Sequence, residues 1–134
     1  MSIEWTEDLS VGLHAVDEQH KELFRRVDQL LTACREGHAP DRVAGIIAFL
    51  EDYTIEHFST EENLMLHYGY PGYKIHKAQH EELTRQAQAL KELFKRDGAS
   101  FATAMEVCTT LVDWLVKHIR KTDMDMGAFL KTQP

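Results

Sequence analysis

Cysteine is scarce in this sequence. Its two residues, Cys34 and Cys108, lie far apart among apolar neighbours. They form no CxxC pair and no disulfide framework. Buried thiols in a reducing compartment are the expectation. Long apolar runs are absent too. Nothing approaches the roughly 20 residues of a membrane helix, and the N-terminal MSIEWTEDLS is acidic, without the apolar stretch of a signal peptide. A cytoplasmic protein with no membrane partner is expected. Basic charge is in deficit, with 15 Lys and Arg against 22 Asp and Glu and a net charge of −7. Phosphate-backbone binding needs clustered cations. The one dense basic patch, Lys117 to Lys121 with Arg120 inside it, reads as a solvated helix end, so no nucleic-acid partner is expected. Two motifs are missing as well. There is no HExxH, the zinc-protease pattern, and no Glu-x-x-His, on which ferritin-like di-iron enzymes are built.

What is present is helix. The chain has 134 residues, 43% of them hydrophobic, which fits one domain with a buried core. Gly and Pro cluster at Gly37 to Pro40, at Gly69 to Gly72, at Gly98 and at Gly127. Between these points lie stretches of good helix formers. The punctuation predicts helices over Asp17–Glu36, Asp41–Tyr68, Tyr73–Arg96 and Ser100–Arg120, with Ser100 as an N-cap, and a short last helix over Met124–Lys131. Apolar residues recur in alternating steps of three and four. They read Phe24, Val27, Leu31 and Cys34 in the first helix, and Leu83, Ala87, Leu90 and Phe94 in the third. The fourth helix reads Phe101, Met105, Cys108, Leu111, Val112 and Leu115. Short connections make neighbours antiparallel, which gives an all-α, up-down-up-down four-helix bundle over residues 17–131. Residues 1–16 form an N-terminal arm without helical period, packed along the bundle by Ile3, Trp5 and Leu9.

The histidines then become informative. A lone histidine on an apolar face is usually a core residue with one hydrogen bond. Here five of the eight histidines fall on such faces: His20 in the first helix, His57 in the second, His76 and His80 in the third, and His118 in the fourth. An unsatisfied buried polar group costs about 1–3 kcal/mol, and nothing else in these stripes can partner five rings. A metal can, since neutral imidazole is a common ligand. His14, His38 and His67 fall in the arm, in a loop and near a helix end. Glu61 follows His57 by four, a turn of about 40°, so both face the core. Asp123 follows His118 by five, about 140° in a continuous α-helix. It joins the others only if the helix breaks near Lys121–Thr122. In an up-down-up-down bundle, the start of the first helix, the end of the second, the start of the third and the end of the fourth share one end. The topology therefore gathers all seven residues.

Five imidazoles and two carboxylates exceed one tetrahedral zinc. They suit two ions of borderline softness and higher coordination number, most simply iron. If both carboxylates and one oxo or hydroxo group bridge two six-coordinate ions, one position stays open, on the ion with two histidines. That suits one small ligand such as dioxygen.

The order H, HxxxE, HxxxH, HxxxxD, in the segments DEQHKELF, HFSTEE, HKAQH and WLVKHIRKTD with Trp5 upstream, closely resembles the hemerythrin family, in particular its bacterial single-domain members. The resemblance spans nearly the whole chain. It implies that His76, His80 and His118 hold one iron, that His20 and His57 hold the other, and that Glu61 and Asp123 bridge them. It further implies reversible dioxygen binding on the two-histidine iron, with both irons passing from ferrous to ferric. The family's apolar pocket finds matches in Leu23, Phe58, Trp114, Leu115 and Ile119, although plain core packing also accounts for Trp114 and Leu115. For Asp17 and Gln19, a helix cap or a solvated face outweighs a role as partner to a ligand histidine.

The leading function is thus a binding protein for dioxygen carriage, storage or delivery, not an enzyme. The alternatives are oxygen or redox sensing, iron or nitric-oxide handling, and, further behind, a di-iron oxidase or peroxidase. A monomer is expected because no long exposed apolar stripe is evident. An oxygen-consuming partner protein is conceivable, but the sequence does not name one.

Overall fold

The structure is a computed structural model that describes residues 4–37, 40–97 and 101–133, with the side chains at 40–43, 90, 93–97, 101–108 and 111 outside that description. A single 3-10 turn, Glu7–Leu9, interrupts the arm. Five α-helices follow: α1 (His14–Arg35), α2 (Pro40–Tyr68), α3 (Tyr73–Asp97), α4 (Phe101–His118) and α5 (Met124–Leu130), the last two joined by a π-helical turn over Ile119–Asp123. No strand occurs among the described residues. Helix α1 packs on α2 and α4, and α3 packs on the same two, which closes the antiparallel four-helix ring. Ile3, His38, Gly98 and the expected cap Ser100 fall outside the described residues. So do the side chains of Leu90, Phe94, Phe101, Met105, Cys108 and Leu111. Cys34 is a buried thiol.

Helix ends follow local chemistry. Gly69 adopts φ +67°, which costs glycine no Cβ clash, and two bonds close α2 there. The amide of Tyr70 donates to the carbonyl of Met65 at 2.9 Å, and that of Gly69 to the carbonyl of Leu66 at 3.4 Å. This is a Schellman ending, which satisfies carbonyls that the helix would leave orphaned. The chain can then turn back at once into α3.

Two boundaries depart from the sequence expectation. Helix α1 begins at His14, three residues before Asp17. Asp17 is half-buried and is not the helix cap. Its carboxylate accepts from the hydroxyl of Ser10 at 2.5 Å and from the amide of Val11 at 2.9 Å, which pins the arm to the bundle. The second departure is the expected break after His118. The chain stays helical through Asp123, and the amide of Met124 reaches five residues back to the carbonyl of Ile119.

Among the described residues, three apolar clusters frame the space between the helices. One fills mid-bundle, with Val27, Leu30, Leu31, Cys34 and Ile47 buried together. A second closes one end of the bundle, where Val11 of the arm and Met126 and Leu130 of α5 meet Val16 and Met65. The third runs along the α1–α4 side, with Leu9 of the arm against Phe24, Leu115 and Ile119, and Trp5 packed on top. Burying each such side chain contributes roughly 1.5–3 kcal/mol. Gly127 is what lets the arm lie this close. A Cβ there would meet the carbonyl oxygen of Val11 at 2.3 Å.

Candidate metal centre

The seven residues singled out in the sequence converge between the mid-bundle and end clusters. All are buried, none exposing more than 4% of its surface: His20, His57, Glu61, His76, His80, His118 and Asp123. Four elements deliver six of them by ordinary α-helical spacing. The seventh, Asp123, arrives through the π turn. Bonding from residue i to i+5 widens the turn, so a step of five brings a side chain round to nearly the same face. The side chain joins the site while the chain stays helical from α4 into α5.

The two carboxylates each face two ways. On one side, Oε1 of Glu61 lies 3.0 Å from Nε2 of His80 and 3.4 Å from that of His76. Oδ1 of Asp123 lies 2.9 Å from Nε2 of His76 and 3.2 Å from that of His118. On the other side, Oε2 of Glu61 lies 3.3 Å from Nε2 of His57 and 3.5 Å from that of His20. Oδ2 of Asp123 lies 3.1 Å from Nε2 of His20. Two nests result, one with His76, His80 and His118, the other with His20 and His57. They share both carboxylates, and the donor atoms within each nest all lie within 4.8 Å of one another.

These contacts are not hydrogen bonds. Among the described residues, neither oxygen of Glu61 or Asp123 has a hydrogen-bond partner, nor has Nε2 of His20, His76, His80 or His118. A buried acceptor left this way costs about 1–3 kcal/mol, more when charged, and the nests hold several at once. Atoms bound about 2.1 Å from one ion at right angles to each other lie about 3.0 Å apart. Aimed lone pairs at such separations suit a cation. Without one, protons take its place. Burial disfavours the imidazolium of His20 and of His76, but the facing carboxylates of Asp123 and Glu61 outweigh it and raise both to about 9. Burial likewise opposes ionisation of Glu61, yet the charge of His57 and the imidazoles of His20 and His76 hold its carboxyl well below the ordinary range. Asp123 is also lowered: burial and the charge of Glu61 push it up, and His118, His20 and His76 pull it down further.

Aromatic and apolar side chains wall the nests. Phe58 stacks on the ring of His80 at 3.8 Å between centroids, and Trp114 stacks on that of His118 at 5.0 Å. Leu23 and Leu115 instead line a cavity of about 70 Å³ that continues past Val27 and Leu30 toward Thr54 and Thr84 on α2 and α3. Ile119 is fully buried beside Leu115. The five side chains of the expected pocket therefore divide. Two cover imidazoles, two face the cavity, and Ile119 backs them. His14 and His67 are exposed, away from the nests.

One contributor was weighed the wrong way in the sequence, and two were not singled out. Gln19, read there as a cap or solvated, accepts from Nδ1 of His57 at 2.8 Å. Glu62 faces Nδ1 of His80, and Gln79 faces that of His118. Each is next in sequence to a donor residue and is swung about 100° from it, onto the donor of the neighbouring helix. Adjacency to a ligand was the available signal.

A bundle whose four helices aim imidazoles and shared carboxylates into one buried end is a metal-binding protein, with its site built in the bundle core as such folds allow. Comparison with known proteins narrows the class. Residues 11–130 match the hemerythrin HHE cation binding domain. The bacteriohemerythrin of Pseudomonas aeruginosa is 34% identical over 119 residues, covering 89% of this chain and 75% of that one. That of Methylococcus capsulatus is 32% identical over 128 residues, covering 94% and 95%. The crystal structure of a wild-type hemerythrin superposes with a TM-score of 0.87 at 29% identity, covering 97% of this chain and 98% of that one. The chain belongs to the hemerythrin family, among the bacterial hemerythrins.

Proposed function

We propose that this chain binds dioxygen reversibly at a non-heme pair of iron ions, for carriage, storage or delivery. His76, His80 and His118 hold one ion, His20 and His57 hold the other, and Glu61 and Asp123 bridge them. The observation that carries this reading is the way both carboxylates split, one oxygen to a nest of three imidazoles and the other to a nest of two. Imidazole with carboxylate suits iron, and the poorer nest leaves room for a small ligand. Bound ferrous iron supplies the electrons that dioxygen needs to be held.

The protein's own part is to position and to exclude. Imidazole that holds a metal does so in its neutral form, so the five rings would add no charge of their own. Leu23, Leu115 and Ile119 keep water from the two-imidazole side, where hydration would promote irreversible oxidation. Phe58 and Trp114 fix the rings they cover. No Glu-x-x-His pair is present to build the carboxylate-rich centre of a ferritin-like oxidase, so a non-enzymatic role is the reading we adopt. We take the chain to act as a cytoplasmic monomer. No helix among the described residues is long and apolar enough to cross a membrane.

Metal analysis and rapid mixing test the proposal. The aerobic protein should carry two irons per chain. The ferrous form mixed with dioxygen should give a long-lived coloured species that bleaches reversibly under vacuum. Rapid turnover of an added reductant or substrate, without such a species, would replace the carrier by an oxidase.

A further inference from the structure

Every imidazole of the site turns Nε2 inward, so its outward Nδ1 decides how the ring is held. Nδ1 of His57 and of His118 each meets the side-chain oxygen of a glutamine, Gln19 and Gln79, at 2.8 Å. The amide orientations are fixed by further bonds. The nitrogen of Gln19 donates to the hydroxyl of Thr60 at 3.2 Å, and the oxygen of Gln79 also accepts from the hydroxyl of Thr122 at 2.8 Å. Nδ1 of His20 and of His76 has no hydrogen-bond partner among the described residues. His80 differs from all four. Its Nδ1 meets a carboxylate, Oε2 of Glu62, at 3.0 Å.

Glu62 is also placed unlike Glu61, its neighbour in sequence. Its side chain is 21% exposed where that of Glu61 is fully buried, so its far side reaches water. It lies behind the three-imidazole nest, and no described carboxylate stands behind the two-imidazole nest in the same way. A hydrogen bond to an ionised acceptor is roughly twice as strong as one to a neutral acceptor. It draws the Nδ1 proton outward and leaves more electron density on Nε2, which faces the metal.

We propose that Glu62 is a positioning residue that acts through His80. It makes His80 the strongest imidazole donor of the site and biases the three-imidazole nest toward the more highly charged metal, lowering the reduction potential of the pair. Gln19 and Gln79 orient their rings without that bias. The inference rests on the iron-pair reading above and adds an electronic difference between its two halves.

The test separates charge from shape. E62Q keeps the side-chain length and an oxygen that accepts from Nδ1, but removes the charge. E62A removes both. D52N, at an exposed position of the same helix, removes an equal charge away from the site. Reduction potentials are read by spectroelectrochemistry, iron retention by competition with a chelator, and folding by circular dichroism. E62Q should fold, keep its iron and shift the potential positive. D52N should leave the potential where it is. E62A should also retain iron about 10–100-fold less well. A wild-type potential in folded E62Q overturns the proposal, as does an equal shift in D52N or an E62Q chain that cannot fold. Wild-type protein that holds no iron overturns the underlying reading instead, which keeps the two failures distinguishable.

Discussion

Replacing Gly127 with alanine sets two physical effects against each other. Gly127 lies inside α5, where alanine is better than glycine by about 1 kcal/mol in helix propensity. On that ground alone G127A stabilises the protein. The packing gives the opposite sign. The new methyl carbon would sit 2.3 Å from the carbonyl oxygen of Val11 and 2.9 Å from its Cβ. Carbon and oxygen rarely approach closer than about 3.3 Å, so the arm must retreat by about 1 Å. It cannot do so freely. Val11 is 2% exposed, and its amide is bonded to Asp17 at 2.9 Å. Overpacking of this kind costs about 1–3 kcal/mol, and loss of the amide bond adds about 1. After the helix gain, G127A should destabilise by about 1–3 kcal/mol, a fall of roughly 4–12 °C in Tm for a chain of this size. The control is Gly45, which lies in α2 with nothing within 4 Å of its missing Cβ. G45A should stabilise by about 0.5–1 kcal/mol. Thermal and urea unfolding of both variants followed by circular dichroism measures the two signs. A G127A protein as stable as the parent refutes the packing argument.

Other outcomes follow from the site. H80A should leave fewer than two irons per chain by metal analysis and lower Tm, because metal binding is coupled to folding; retention of two irons would remove His80 from the ligand set. L115S should cost about 2–4 kcal/mol as a buried truncation and shorten the lifetime of the oxygenated form severalfold while iron content stays near normal; an unchanged lifetime would mean that Leu115 does not exclude water. In the metal-free chain, His20 and His76 are raised from 6.5 to about 9. The stability they contribute is therefore complete below about pH 6.5 and is lost as pH rises through about 9. Iron loading at neutral pH should accordingly release protons, measurable in weakly buffered solution. Metal-free protein whose stability rises over that window contradicts the assignment.

The convergence of the seven residues was legible because two pairs keep a spacing that an α-helix rotates onto one face, and because antiparallel topology fixes which helix ends meet. His57 with Glu61, and His76 with His80, needed no more than that. Asp123 was located, but by the wrong device. Read against an ideal α-helix, five residues point away, and nothing in IRKTD announces a π turn. The turn sets Asp123 against His20, His76 and His118, a tertiary arrangement that no local pattern contains. The same holds for α1. Its start moves to His14 because Asp17 is occupied with Ser10 and Val11 of the arm, contacts made by chain outside the periodic segment. Glu62 and Gln79 stayed hidden because each lies off its own helix's apolar stripe. They look like surface until the adjacent helix is known.

The outward clasps run in one direction around the bundle: α1 holds His57 of α2, α2 holds His80 of α3, and α3 holds His118 of α4. A designer grafting this centre onto another scaffold would copy the inward donors first and obtain rings free to swivel. The transferable unit is larger, with Gln19, Glu62 and Gln79 added to the seven donors. It also fixes the order and handedness in which the host's helices must follow one another. A scaffold with the same four helices wired in a different sequence would present every donor and still leave each clasp facing the wrong neighbour.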